Sequence, residues 1–321
     1  MNTESNAEPG AALDSQVIAP AATSATRPMY WSVRRELWEN RSIYIGPLAV
    51  AAVVMLGFLI SLVGLPRTVR ELTALHTRTY TGPMGQQIVL AMPYTHVSIL
   101  IIFTAFLVGF FYSLEALHGE RRDRSILFWK SLPVSDLTTV LAKASVPLMI
   151  LPLLVIAIVV VLHLIMLLLG LAAVSLSGAD AATMWAKLPF FQLEVWLLYG
   201  VTVMTLWHAP LYGWLLLVSG WARRATFLWA VLPLVAFAVF ERVAFHTLHL
   251  GSLLGDRVYG FVTEAFNLTL PDGTLVDGHF IPVTQFTPLK FLSSPGLWVG
   301  LVFAGIFLAA AVRLRRYREP I

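Results

Sequence analysis

The sequence contains no cysteine, which excludes disulfide staples and thiolate-ligated metal centres. Charge is scarce as well. Asp, Glu, Lys and Arg make up 12% of the chain, where a soluble domain carries about a quarter. With 58% hydrophobic residues and a mean hydropathy of +0.76, that shortage excludes an ordinary water-soluble globule. There is no G-x-x-x-x-G-K-[ST] phosphate cradle, so the chain lacks the P-loop of a nucleotide-hydrolysing motor. Neither an HExxH helix nor a G-x-S-x-G elbow is present, which leaves intramembrane hydrolysis without support. No basic tract interleaved with aromatics is found, so nucleic acid is not an expected partner. The net charge of +4 and pI near 9.5 are accounted for by arginines at the ends of apolar spans. No 20–50-residue repeat stands out, which argues against solenoids and inverted-repeat carriers.

What is present is a series of apolar runs. Residues 1–28 are rich in Ala, Ser, Thr and Pro with no apolar period and are expected to form a disordered tail. No signal peptide is expected, since the first apolar run comes late. Residues 29–42 predict an amphipathic helix lying in the interface. Ser32, Arg35, Glu36, Glu39 and Asn40 share one face, and Tyr30, Val33 and Leu37 the other, between Trp31 and Trp38. Six spans of about 20 residues or more follow, at Ile43–Leu65, Val97–Leu117, Val140–Val174, Glu194–Ser219, Ala225–Phe245 and Pro295–Leu314. The fold class expected is therefore an all-α polytopic membrane protein, with 43–321 as its six-span domain. Pro147 and Pro152 predict a kink in the third span. Lys and Arg gather on the side of both termini, at 118–139 and at Arg223–Arg224, which places the termini in the cytoplasm. On the other side, 66–93 predicts a short helix before a TGPMG turn. Residues 246–294 predict an external cap that dips back toward the membrane, with two Asp-Gly turns in PDGTLVDGHF.

The connector at 118–139 stands apart. Glu120, Arg121, Arg122, Asp123 and Arg124 abut Ile126, Leu127, Phe128, Trp129 and Lys130. Four large apolar residues in succession read as a plug for a groove on another protein, with the charges setting its register. A positive-inside loop bearing an interfacial aromatic fits the same residues. Ser135 followed by Asp136 is suited to capping the next helix.

The run FYSLEALHGERRDRSILFWKSLPVSD resembles the coupling loop of bacterial ABC-2 type permeases, the membrane subunits of ABC exporters. The Glu-Arg-Arg-Asp-Arg-Ser and Phe-Trp-Lys-Ser-Leu-Pro runs carry the likeness, while Glu115 and His118 stand where relatives carry Asp and Tyr. The resemblance implies a type V-like fold and a second permease copy, identical or related. It also implies two copies of a cytoplasmic ATPase that binds ATP and Mg, with no cofactor on this chain. The implied function is export of an amphipathic or hydrophobic substrate (peptide, antibiotic or lipid-like) across the bacterial inner membrane. By the same analogy Phe103, Phe106, Phe110, Phe237 and Phe240 border the pathway as an apolar gate, although lipid-facing or helix-packing Phe is the plainer reading of any one of them. Trp196, Tyr199, Trp207 and Tyr212 share that ambiguity.

Ionisable residues within apolar spans are costly and mark sites. Glu194 and the pair Glu241–Arg242 fall near the outer boundary. His163 and His208 lie deeper, where hydrogen bonds to a neighbouring helix are expected. His246, His249 and His279 with Asp256 or Asp277 lack a recognisable ligand spacing, and no metal is expected. The competing functions are an ion-coupled carrier or channel, for which Glu194 or His208 supplies the coupling group, and a sensor or scaffold subunit that transports nothing.

Overall fold

A computed structural model describes residues 27–74, 83–131, 134–178, 180–269 and 281–317. The tail expected at 1–28 falls almost wholly outside them, as does the Asp-Gly hairpin expected in the cap, with Asp277 and His279.

Helix α1 (Pro28–Glu39) begins on a proline, whose missing N–H is an orphan at that position anyway. It leads into α2 (Ser42–Ser61) and the short α3 (Leu65–Ala74). Helix α4 (Pro83–Glu115) starts well before the apolar run Val97–Leu117 and ends two residues short of its last residue. Pro83 to Gly85 form its first turn rather than the expected TGPMG turn, because a proline at N1 starts a helix as readily as it makes a turn. At the far end come α5 (His118–Arg122) and α6 (Ser125–Ser131). Arg124 joins these two in the left-handed region, at φ 57°, where a side chain costs roughly 1–2 kcal/mol.

Helix α7 (Asp136–Ser145) is capped by Ser135, whose Oγ accepts the Thr138 N–H at 3.0 Å. It passes through a π-helical turn, Val146–Ile150, into α8 (Leu151–Leu176). Where Pro147 and Pro152 predict a kink, the structure shows this wide turn, which accommodates the N–H that Pro147 lacks. The pair spans 41 residues, about 60 Å at 1.5 Å per residue, twice a hydrocarbon core. Then follow α9 (Ala181–Lys187), α10 (Phe190–Trp221), α11 (Thr226–Phe245), α12 (His249–Ala265), α13 (Pro288–Ser293) and α14 (Pro295–Tyr317). Among the described residues six helices are long and apolar enough to cross a membrane, and none forms a named strand. The chain is an all-α polytopic membrane protein.

Helix α10 is the axis of the bundle, packed along its length against α14 and α4. At Gly213 an added Cβ would lie 3.3 Å from the Ala304 carbonyl, so only glycine lets α10 and α14 approach this closely. The core fills the space between α2, α4, α8 and α10. Helix α11 stays at the margin with Ala230 its one buried residue.

The described part of 246–294 packs on α10. Helix α12 lies against α10, with Trp207 Nε1 donating to the Asp256 carbonyl (3.0 Å) and Tyr199 Oη to that of Ala265 (3.0 Å). Phe266 and Phe286 form an antiparallel bridge, and Phe286 stacks on Tyr199 at 4.8 Å. Glu241, near the end of α11, has a specific task. It accepts the N–H groups of His249 and Leu250, each at 2.7 Å, and so closes the first turn of α12. Arg257 lies over the Trp207 ring at 4.8 Å and donates to the carbonyls of Trp207 (3.2 Å) and Gly296 (3.0 Å), joining cap, α10 and α14. Trp207 is sandwiched between Gly260 and Gly296, where added Cβ atoms would meet its ring at 3.0 and 3.1 Å. Gly260→Val is therefore expected to displace Trp207 at a cost of about 1–3 kcal/mol. Faster hydrogen exchange confined to α12 is the check.

Candidate functional site

One end of the bundle, called basal below, gathers α1, α5, α6, the start of α7, the α10–α11 turn and the end of α14. Sequence periodicity put Arg35 and Glu36 on the polar face of α1. The structure turns that face inward and leaves Tyr30, Trp31 and Trp38 exposed. Glu36 is 1% exposed and forms the centre of a buried charge node. Its Oε1 takes Lys143 Nζ at 2.8 Å and Arg35 Nη2 at 2.8 Å, and its Oε2 accepts Tyr112 Oη at 2.8 Å. Glu120, from α5, is the second centre. Its Oε1 takes Arg35 at 2.9 Å and Lys143 at 3.1 Å, while Oε2 receives Arg315 from α14. Arg315 also reaches Asp136 at 3.2 Å. Three cations thus face three carboxylates, and each buried charge has an opposite neighbour, as burial demands.

Arg35 carries the node to α6, its guanidinium lying 3.9 Å from the Trp129 ring centroid. Backbone capping ties in α10. Ser219 Oγ accepts the N–H groups of Leu117 and His118, both at 2.9 Å. Arg121 donates to the carbonyls of Gly220 (2.9 Å) and Ala222 (3.2 Å), ending α10.

The ten residues expected to meet a partner therefore divide. Glu120, Arg121 and Ile126 are buried within the chain. Trp129 is half-buried against Arg35. Arg122, Asp123 and Arg124 are exposed, and Arg122 pairs with Glu115 at 2.7 Å and Asp123 at 3.1 Å. Leu127 and Phe128 point outward, each 60% exposed. The side chain of Lys130 lies outside the described residues. What the connector presents is a two-residue apolar knob on a base fixed by charge.

Burial alone would push the Glu36 carboxyl up. The Lys143 ammonium, with hydrogen bonds from Lys143 and Arg35, outweighs it and holds the carboxyl below its ordinary 4.5. A depressed carboxyl contributes stability above its unfolded value and loses it as pH falls through the folded one. Thermal stability is thus expected to be level above about pH 5 and to fall below the ordinary carboxylate range. Glu36→Gln is expected to flatten the acid limb while lowering the plateau.

No family model, curated protein or solved structure matches this chain. Geometry therefore carries the functional argument.

The five phenylalanines read as a gate do not converge within one chain. Phe106 and Phe110 are half-buried, 6.5 Å apart, and join an aromatic seam with Tyr212, His208 and Phe227. Phe103, Phe237 and Phe240 are exposed on the flanks. Trp196 and Tyr199 pack under the cap. The two histidines differ. His208 bonds its own helix, at the Met204 carbonyl (2.8 Å), between the rings of Phe106 and Phe261. His163 is fully buried and bonds Glu194 from α10 at 2.8 Å. Among the described residues no group of three or more His, Asp or Glu is arranged to hold a metal.

The node is not legible in the sequence because Lys143 and Arg315 stand more than 100 residues along the chain from Glu36. The available signal was Lys143 itself, set between Ala142 and Ala144 in an apolar run, where an ammonium requires an acidic neighbour.

Proposed function

We propose that the chain is the permease subunit of an ATP-driven exporter in a bacterial inner membrane, with both termini cytoplasmic. The observation that supports this reading best is the Leu127–Phe128 knob, held out from a base whose charges fasten α1, α5, α7 and α14 together. An isolated loop could yield under a push. A knob anchored through Glu120 to the ends of two membrane helices transmits one. In this reading the knob seats on a separate ATPase, which binds ATP and Mg, and its closure moves α7–α8 and α14 as levers. A second permease copy covers α11, whose exposed Phe237 and Phe240 then face the α4 aromatics across a shared path. An amphipathic peptide, antibiotic or lipid-like molecule suits such a path. The test is reconstitution of the chain with the ATPase encoded beside it, against a substrate panel. ATP-dependent movement that neither protein supports alone is expected. Ion-driven transport by the chain alone would sink the proposal in favour of a secondary carrier.

A further inference from the structure

Far from the basal node, about 30 Å along α7–α8 from Lys143, His163 holds a second polar cluster. Its Nδ1 lies 2.8 Å from Glu194 Oε1 of α10. Its Nε2 lies 3.0 Å from the Tyr94 carbonyl and 3.2 Å from Ser98 Oγ, both of α4. A backbone carbonyl only accepts, and Ser98 Oγ already spends its own proton on that carbonyl, at 3.0 Å. Nε2 must therefore carry a hydrogen. With Nε2 protonated, a neutral ring would direct the bare lone pair of Nδ1 at a carboxylate oxygen. At 2.8 Å and full burial that arrangement is repulsive, so a further proton lies between Nδ1 and Oε1, on one partner or the other.

From this geometry we propose that His163 and Glu194 form a proton-binding site, and that the bound proton clasps α4, α8 and α10 together. Loss of the proton leaves one net negative charge, opposed lone pairs, and a Glu194 whose Oε2 is buried with no partner. That state drives α8 and α10 apart. The Glu194 side chain, four residues into α10, is 20% exposed. The titratable groups in contact with His163 are Glu194 and Tyr94, whose ring lies edge-on at 5.3 Å. Its own helix from Leu151 to Leu176 carries no other charged residue, and α2 offers only Tyr44. Arg67 of α3 and Lys187 of α9 belong to elements that meet α8 around Gly170, beyond His163, where Leu65 and Met184 touch it. The side chains at 70 and 71 of α3 lie outside the described residues. The inference stands apart from the proposed export role, since it needs neither ATPase nor substrate.

The chain has no cysteine, so spin labels can be placed at will. Leu176→Cys on α8 and Phe191→Cys on α10, both exposed near the outer ends, report the separation by pulsed electron resonance in nanodiscs. Over about pH 5 to 9 the wild-type distribution is expected to shift to longer distances on the alkaline side. Glu194→Gln, whose amide N–H donates to Nδ1 and does not titrate, is expected to keep the short distribution throughout. A wild type that does not move, or a variant that moves with it, overturns the proposal. Should Glu194→Gln fail to insert, nitrogen-labelled histidine spectra of the wild type decide. A hydrogen-bonded ring proton at His163 that disappears on the alkaline side supports the site, and a ring unchanged across the range overturns it.

Discussion

Glu120→Ala is expected to destabilise the chain by about 3–5 kcal/mol, the cost of breaking a buried ion pair by removing one partner. The size follows from what is left behind. Arg35, Lys143 and Arg315 all point at that carboxylate, and Lys143 and Arg315 are almost wholly buried. Glu36 can still serve Lys143 and Arg35, and Asp136 can serve Arg315, so the node is weakened rather than abolished. Glu120→Gln is expected to recover shape but little of the loss, because the missing quantity is charge. Thermal unfolding of the purified protein, followed by proteolysis at the α5–α6 turn, measures both. The same variant should uncouple ATP hydrolysis from transport in the reconstituted complex, since the knob would then move without the helices.

Replacing Leu127 and Phe128 together by Ala is expected to act in the opposite manner. Stability should fall far less than in Glu120→Ala, because both side chains are 60% exposed and the Phe128 ring meets the fold edge-on at Trp129, at 4.9 Å. Association with the proposed ATPase partner should weaken by at least about 30-fold, corresponding to the roughly 2 kcal/mol that a well-packed anchor contributes. Trp129 is a poor choice for this experiment despite its place in the apolar run. Its ring lies beneath Arg35, so Trp129→Ala would loosen the node as well as the contact. An affinity measurement paired with a melting curve separates the two classes of variant.

These contrasts show what the sequence can specify. The six spans were legible because apolar runs of that length have few other uses, and the Ser135 cap because its chemistry is local. The reach of α4 beyond its apolar run was not, since the turns before Val97 are helical without being apolar throughout. Periodicity correctly grouped Arg35, Glu36 and Glu39 on one face of α1, but a period does not say which face meets protein. The inward turn of this face depends on Lys143, which meets Glu36, and on Glu120, which meets Arg35, both more than 80 residues away along the chain. The connector shows the same division. Its composition announced a charged stretch beside an apolar one, yet only the tertiary arrangement separates Glu120 and Ile126, which face inward, from Leu127 and Phe128, which face out. His163 and Glu194 were each visible as costly residues, but nothing in their spacing pairs them.

The most direct test places a photo-crosslinking amino acid at position 128 and identifies what it captures in native membranes. The account predicts one dominant product, a polypeptide bearing a G-x-x-x-x-G-K-[ST] cradle, lost when position 128 is moved into the buried Ile126 site. Crosslinks to lipid alone, with no nucleotide-hydrolysing protein at that position, would contradict it.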